Sequence, residues 1–215
     1  MDFLEKTVKE NLVFDGRIIQ VYNDEVMLDN GKLTRREYVN HRGGASILAI
    51  DKDDNIYLVE QYRYAYKQML LEIPAGKLEK GEDPRDCAER ELKEEIGGTA
   101  KEIRKITLLY PTPGYTNEPL YIFEAVGLEI GDNKLDEGEF LNVKKIPFKK
   151  ALEMVKSGEI KDGKTVVAIL YHALNNWKVV YRKKIREFKL NSLFCLDLII
   201  YLALRYLCNN LLSRS

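Results

Sequence analysis

The amino-acid sequence predicts an α+β fold, because strand-like runs are interrupted at irregular intervals by a few helices. Residues 45–50 and 56–62 are rich in β-branched and aliphatic side chains and are joined by a polar turn, which predicts two strands. Residues 84–96 carry strong helix-boundary signals. This irregular succession favours a mixed α+β sandwich over a regular βαβ series.

The N-terminal segment predicts a small antiparallel β unit over residues 1–40. Residues 16–28 are rich in β-branched and aromatic types, and a second such run follows the pair Asn30-Gly31. Asn-Gly between two such runs is the strongest short-range signal for a β-hairpin. A unit this short cannot bury a core of its own, so we expect it to pack on something larger, such as a second copy of the chain.

Residues 41–177 read as the main domain. Further strands are predicted at 70–73, 106–110 and 120–126, and further helices at 148–157 and 165–177. A Gly-bounded loop is expected between Pro74 and the helix at 84–96.

Composition and charge narrow the classes of function. The chain has 215 residues, of which 32% are charged, and its formal net charge is zero. Residues 178–215 hold eight Lys and Arg against two Asp and Glu, which leaves 26 basic and 32 acidic residues in 1–177. An acidic body does not support binding to nucleic acid. Three widely spaced cysteines and a charged N-terminus predict a reducing, cytoplasmic setting.

The helix at 84–96 gathers carboxylates beside its apolar stripe. Asp83 is a good N-cap and Gly97 suits the left-handed residue after the helix. Glu91 and Glu95 are four residues apart and border the stripe formed by Ala88 and Leu92. A solvated acidic face is one interpretation. However, carboxylates near the sheet need a cation or an arginine, and hard oxygen ligands beside a glycine-lined loop suit Mg²⁺ when the substrate is a phosphate.

The spacing of these residues resembles the Nudix box, G-x5-E-x7-R-E-U-x-E-E-x-G-U. Gly76 is followed after five residues by Glu82 and after seven more by the run RELKEEIG at 90–97. The one departure is Gly98, where the family usually has an aliphatic residue that packs the helix end. The resemblance implies a Nudix-type α/β/α sandwich with a mixed sheet, preceded by the small N-terminal antiparallel β unit.

Features outside the box resemble the ADP-ribose pyrophosphatase group of Nudix enzymes. Pro113 lies 16 residues after Gly97. The runs IPAG at 73–76, QYR at 61–63 and LDEGEF at 135–140 also resemble that group. The resemblance covers about residues 5–177 and implies a homodimer in which the N-terminal hairpin crosses the subunit boundary.

The resemblance also implies residue roles. Glu91 and Glu95, with the backbone carbonyl of Ala75, would hold Mg²⁺ or Mn²⁺, and Glu82 and Glu94 would complete or support that shell. Arg90 would orient a carboxylate by a bidentate contact.

A loop glutamate would assist the attacking water; Glu137 is the first candidate, and Glu139 and Asp136 are its rivals. The remaining candidates would contact substrate. Arg63 would bind the phosphates, and Glu118 would bind the terminal ribose of the partner subunit's substrate. Arg36 and Tyr22 would contact the purine and phosphates, and Pro113 is a further substrate-binding candidate.

The function implied is Mg²⁺-dependent hydrolysis of ADP-ribose to AMP and ribose 5-phosphate. One alternative is the same reaction on another nucleoside diphosphate sugar, such as GDP-mannose. A second is a nucleotide-sugar sensor that binds without cleaving, which the intact Glu91, Glu94 and Glu95 disfavour.

The extension at 178–215 lies outside the resemblance. A basic run at 178–190 is followed by 193–212, in which 16 of 20 residues are apolar. A helix would align Asp197, Tyr201, Arg205 and Asn209 along one polar stripe. Three interpretations stay open: a packed helix, a segment that contacts or spans a membrane, and an extension without function.

Overall fold

The computed structural model describes residues 3–131 and 141–189, with side chains as far as residue 176. The elements follow in chain order. The strands are β1 (Lys6–Lys9), β2 (Leu12–Asp15), β3 (Gln20–Met27), β4 (Leu33–Asn40), β5 (Gly44–Ile50), β6 (Asn55–Arg63), β7 (Gln68–Glu72), β8 (Ala75–Lys77), β9 (Gly98–Thr99), β10 (Glu102–Leu109), β11 (Leu120–Val126), β12 (Glu129–Ile130) and β13 (Leu141–Pro147). The helices are α1 (Pro84–Ile96), α2 (Phe148–Ser157) and α3 (Gly163–Lys189).

The N-terminal strands β1 to β4 form a four-stranded antiparallel sheet. Its hairpin β3–β4 turns at Gly31, whose φ of 77° is the left-handed conformation that glycine allows. The predicted hairpin is therefore confirmed. The strand expected at 16–28 begins only at Gln20, because Gly16 to Ile19 form a turn in which the Gly16 N–H donates to the Ile19 carbonyl over 3.0 Å.

The central sheet has the order β10-β11-β5-β6-β13, with β7 paired to β6 and β8 paired to β5. It is mixed because β11 and β5 run parallel while the other pairs are antiparallel. The predicted α+β class and mixed sheet are thereby confirmed. The segment expected to be a loop after Pro74 contains the short strand β8, and β13 was not predicted.

Helix α1 occupies the predicted residues and has the predicted caps. The Asp83 carboxylate accepts from the Arg85 N–H over 2.8 Å, and Gly97 has φ 66°. One face of the sheet packs on α1 through a core that includes Ile47, Val59 and Leu92. Alternation along the strands directs equally buried side chains to the opposite face. Helices α2 and α3 contribute further buried residues, namely Phe148, Ala151, Met154, Ala168 and Ile169.

Helix α3 corrects the helix expected at 165–177, since it runs from Gly163 to Lys189. Residues 178–189 contain neither Gly nor Pro and are rich in helix-forming Lys and Arg, so no local signal ends the helix at 177. The chain divides into two compact units between Tyr171 and His172. Within the described ranges no helix has the length and apolar content needed to cross a membrane. The apolar run 193–212 lies outside those ranges.

Candidate active site

Helix α1 turns two acidic side chains toward the sheet. Glu91 is 6% exposed and Glu95 is 3% exposed, and they flank the fully buried Leu92. The Glu95 Oε2 accepts from the Ala75 N–H over 2.9 Å, which ties the helix to strand β8. The expected position of both carboxylates beside the apolar stripe is confirmed by their burial.

Gly76 lies against the Glu91 carboxylate. A β-carbon at residue 76 would lie 1.6 Å from Glu91 Oε1, so this oxygen occupies the space that any other side chain would need. Strand β8 pairs with β5 through the neighbours Ala45 and Gly76, which holds the backbone at this point. The first glycine of the box therefore has a steric role.

Arg90 joins three carboxylates of the box. Its Nε donates to Glu82 Oε1 over 3.0 Å, and its Nη1 donates to Glu91 Oε1 over 2.6 Å and to Glu94 Oε2 over 2.9 Å. The hydrogen bond with Glu82 is the main reason that the pKa of Arg90 is raised, and the same bond lowers the pKa of Glu82. Arg90 thus offsets the repulsion among these carboxylates and fixes their positions.

The oxygen atoms of Glu91, Glu95 and the Ala75 carbonyl fit a divalent cation. Glu91, Glu95 and Ala75 line one cleft, and both side chains offer hard oxygen atoms. Among the described residues, no three His, Cys, Asp or Glu side chains converge as a ready-made metal cluster. Two carboxylates with a backbone carbonyl, substrate phosphates and water match the ligand set that Mg²⁺ usually takes at phosphate sites.

The cleft has a volume of about 1040 Å³ and combines this acidic floor with basic side chains. Arg63, at the end of β6, lines it as expected for a phosphate contact. Arg63 donates from Nε and Nη2 to the two oxygens of Glu72 over 2.6 and 2.7 Å. Tyr64 and Tyr66 are exposed and line the same cleft.

A second acidic position in the cleft is Glu118. Its Oε1 is 3.3 Å from Nδ1 of His41, which also lines the cleft although an isolated histidine gave no sequence indication of this. The loop that carries Glu118 is held by a backbone bond from the Val39 N–H to the Tyr115 carbonyl over 2.7 Å. Glu118 is therefore positioned by contact with the end of β4.

Other predicted residues lie elsewhere within the described part of this single chain. Arg36 forms a bidentate ion pair with Glu5 and is not among the residues that line the cleft. Tyr22 stacks on Tyr38, with ring centroids 5.0 Å apart. Pro113, in the loop before Glu118, is also outside the lining. The candidate water-assisting acids Glu137, Glu139 and Asp136 lie outside the described residues.

Sequence reasoning missed Glu72, Asp162 and Lys164, which all line the cleft. Two signals were available: Glu72 directly precedes the IPAG run, and Asp162 is an N-cap residue type that directly precedes α3. Gly98 is explained by packing, since a β-carbon there would lie 2.9 Å from Leu92 Cδ1 and 3.3 Å from Leu128 Cδ1. Those two leucines fill the space of the usual aliphatic residue.

The fold and this site define a nucleotide pyrophosphohydrolase of the Nudix type, and comparison with known proteins agrees. The NUDIX domain profile matches residues 40–167, and the chain belongs to the Nudix family. Divalent metal use is general in Nudix hydrolases.

Several relatives are similar to most of the chain. The ADP-ribose pyrophosphatase of Bacillus subtilis (strain 168) is 43% identical over 169 residues, which are 78% of this chain and 91% of the relative. The methanol dehydrogenase activator of Bacillus methanolicus is 40% identical over 79% of this chain and 92% of the relative. The GDP-mannose pyrophosphatase of Salmonella paratyphi B (strain ATCC BAA-1250 / SPB7) is 38% identical over 66% and 80%.

A solved structure shares the fold. The crystal structure of an ADP compounds hydrolase has a TM-score of 0.69 over 82% of this chain and 96% of that chain, at 23% identity. The predicted Nudix-type fold is therefore confirmed, as is the resemblance to the ADP-ribose pyrophosphatase group.

Proposed function

We propose that this chain hydrolyses the pyrophosphate bond of ADP-ribose to give AMP and ribose 5-phosphate. The observation that carries the proposal is a cleft in which the buried carboxylates Glu91 and Glu95 lie with the arginine Arg63. Acidic groups for a cation and a basic group for phosphate are two of the requirements of pyrophosphate hydrolysis assisted by a metal ion. The 43% identity to an ADP-ribose pyrophosphatase supports this substrate.

We assign Glu91, Glu95 and the Ala75 carbonyl to the divalent cation, as Mg²⁺ or Mn²⁺, with Glu82 and Glu94 in support through Arg90. A cation held by these residues would supply charge neutralisation at the pyrophosphate and activation of the attacking water. Arg90 holds Glu91 and Glu94 so that their oxygens need little rearrangement when the substrate binds.

We assign substrate contacts to two residues that line the cleft, Arg63 and Glu118. Arg63 binds a phosphate and Glu118 binds the terminal ribose of the partner subunit's substrate. A loop acid, first Glu137 and otherwise Glu139 or Asp136, accepts a proton from the water. Arg36 and Tyr22 remain candidates for purine and phosphate contacts contributed across a dimer, and Pro113 remains a candidate for a substrate contact. Hydrolysis consumes one water and releases the two monophosphates.

Hydrolysis of GDP-mannose is the second candidate, since GDP-mannose pyrophosphatases are also similar to this chain. The carboxylates and Arg63 would serve either substrate, because both contain a pyrophosphate. Specificity depends on contacts to the base and sugar.

The test is a hydrolysis screen of nucleoside diphosphate sugars with purified protein. We expect AMP from ADP-ribose with Mg²⁺ or Mn²⁺, a kcat/KM at least about tenfold above that for GDP-mannose, and no turnover in EDTA. Addition of Mg²⁺ after EDTA should restore the activity. Preferred cleavage of GDP-mannose would replace the substrate assignment, and binding without cleavage of any sugar nucleotide would establish a sensor.

We further propose a homodimer built through the N-terminal sheet. Large apolar side chains are exposed on this unit, including Phe3 at 85%, Leu4, Val13, Phe14 and Leu33. Exposed apolar surface of this kind indicates an interaction site. Arg17 and Ile18 of the same unit line the cleft, so dimerisation here would place the interface next to substrate.

Light scattering is expected to give about twice the chain mass of 24.9 kDa. Phe14→Asp should shift the protein toward monomer by placing a charge in an apolar interface, and activity should fall with the dimer fraction. Lys32→Asp, in the exposed hairpin turn, is the matched control and should remain dimeric. A wild-type monomer with full activity at assay concentration would contradict this proposal.

The domain division at residues 1–40, 41–177 and 178–215 stays a proposal, as does the cytoplasmic setting.

Cys87 is a free thiol buried in the core, where burial raises its pKa to about 12. A membrane contact through the tail depends on residues outside the described ranges.

A further inference from the structure

A buried ion network borders the cleft outside the Nudix box. Glu72, at the end of β7, has a side chain that is only 2% exposed, and its two oxygens accept the bidentate contact from Arg63. Its Oε2 also accepts from Lys164 Nζ. The buried Glu72 carboxylate therefore binds two positively charged side chains, Arg63 and Lys164, and both line the cleft.

The start of α3 anchors this network from the other side. Asp162 Oδ1 accepts from Lys164 Nζ over 3.0 Å, and its Oδ2 accepts from the Thr165 hydroxyl over 2.6 Å. The Thr165 Oγ1 in turn accepts from the Ile73 N–H over 2.8 Å. Ile73, which follows Glu72, is thus hydrogen-bonded to the same turn of α3 that carries Lys164.

The charges of the network balance. Arg63 and Lys164 supply two positive charges, and Glu72 and Asp162 supply two negative ones. Burial opposes ionisation of Glu72, but its bonds with Arg63 and the charge of Lys164 lower its pKa below the usual value. Glu72 therefore stays a carboxylate at neutral pH and can hold both cations.

The geometry orients Arg63 toward a ligand. Its contacts among the described residues use Nε and Nη2, which fixes the plane of the guanidinium and leaves Nη1 for an anion. The Arg63 side chain is 42% exposed although its partner Glu72 is enclosed. Glu72 therefore binds the guanidinium of Arg63 on its enclosed side, and the rest of the side chain is exposed to the cleft.

We propose that Glu72 and Lys164 are positioning residues for pyrophosphate recognition, a role that rests on the proposed phosphate contact of Arg63. Glu72 sets the orientation of the Arg63 guanidinium. Lys164, itself held by Asp162, keeps the Glu72 carboxylate in place. Neither residue touches substrate in this scheme, and both act through Arg63.

The test is a double-mutant cycle of Lys164→Met with Arg63→Ala, measured by ADP-ribose binding in EDTA with calorimetry and by KM and kcat with Mg²⁺. Lys164→Met alone should weaken binding and raise KM by about tenfold, with a smaller effect on kcat, because a phosphate contact is made before the transition state as well as in it. In the Arg63→Ala background, Lys164→Met should weaken binding and raise KM by less than about twofold. Lys164→Arg should restore most of the affinity.

Lys144→Met is the matched control, because Lys144 pairs with Glu60 on the exposed surface of β13 and β6. It should leave binding and KM unchanged. Circular dichroism and thermal midpoints report whether each variant folds. If Lys164→Met does not fold, Glu72→Gln enters the same cycle, since it keeps the side-chain shape and removes the charge.

Two results would overturn the inference: unchanged binding in a folded Lys164→Met or Glu72→Gln, or an equal loss with and without Arg63. Binding without hydrolysis by the wild type would refute the proposed reaction and leave the cycle valid. Hydrolysis by the wild type with additive losses would refute the positioning role alone. A wild type that binds no nucleoside diphosphate sugar would overturn both.

Discussion

Glu95→Gln is expected to lower kcat/KM for ADP-ribose by more than a hundredfold, which corresponds to at least about 3 kcal/mol of transition-state stabilisation. The substitution keeps the side-chain volume but removes the charge of a carboxylate that is 3% exposed in the cleft. A neutral amide binds a divalent cation more weakly and neutralises no charge at the site. Steady-state kinetics at saturating Mg²⁺ measures the effect.

Glu89→Gln is the matched control for this variant. Glu89 lies on the exposed side of the same helix, α1, and its replacement by Gln removes the same charge. It should retain near-normal activity. If Glu95→Gln also retained near-normal activity, Glu95 would not be a metal ligand.

Gly76→Ala is expected to cause the next largest loss, on the order of a hundredfold in kcat/KM, since small misplacements of reacting groups are costly. The added β-carbon would lie 1.6 Å from Glu91 Oε1 and 2.1 Å from its Cδ, so the carboxylate must move. Glu91 is buried and bound to Arg90, and it has little room to do so. Overpacking should also cost about 1–3 kcal/mol in the free energy of unfolding.

Gly114→Ala separates the steric effect from a general effect of replacing glycine. A β-carbon at Gly114 would have no atom within 4 Å, so this variant should keep its activity and its thermal midpoint. Kinetics and thermal denaturation of both variants provide the comparison. Equal activity of Gly76→Ala and wild type would show that the Glu91 position is not needed for hydrolysis.

The sequence by itself determined the elements whose causes are local. Helix α1 has its predicted residues because Asp83, Pro84 and Gly97 mark its ends through their own backbone preferences. The β3–β4 hairpin follows from Asn30-Gly31, where glycine adopts positive φ. The carboxylate face of the Nudix box was also predictable, because residues four apart share one side of a helix.

Element ends without such signals were predicted less well. Helix α3 continues past residue 177 because a change from apolar to basic composition does not stop a helix. Strands β8 and β13 are short or largely exposed and depend on pairing with β5 and β6, so their own residues carry little signal.

Only the tertiary structure decided which distant residues share the cleft. Glu72 and Lys164 are 92 residues apart and meet because β7 and the start of α3 are brought together by the Thr165 and Ile73 contact. His41 and Glu118 meet in the same way through the end of β4. Such pairs have no periodicity in the chain, since their proximity depends on how the elements pack. A buried carboxylate such as Glu72 is stable only once that packing supplies its cations.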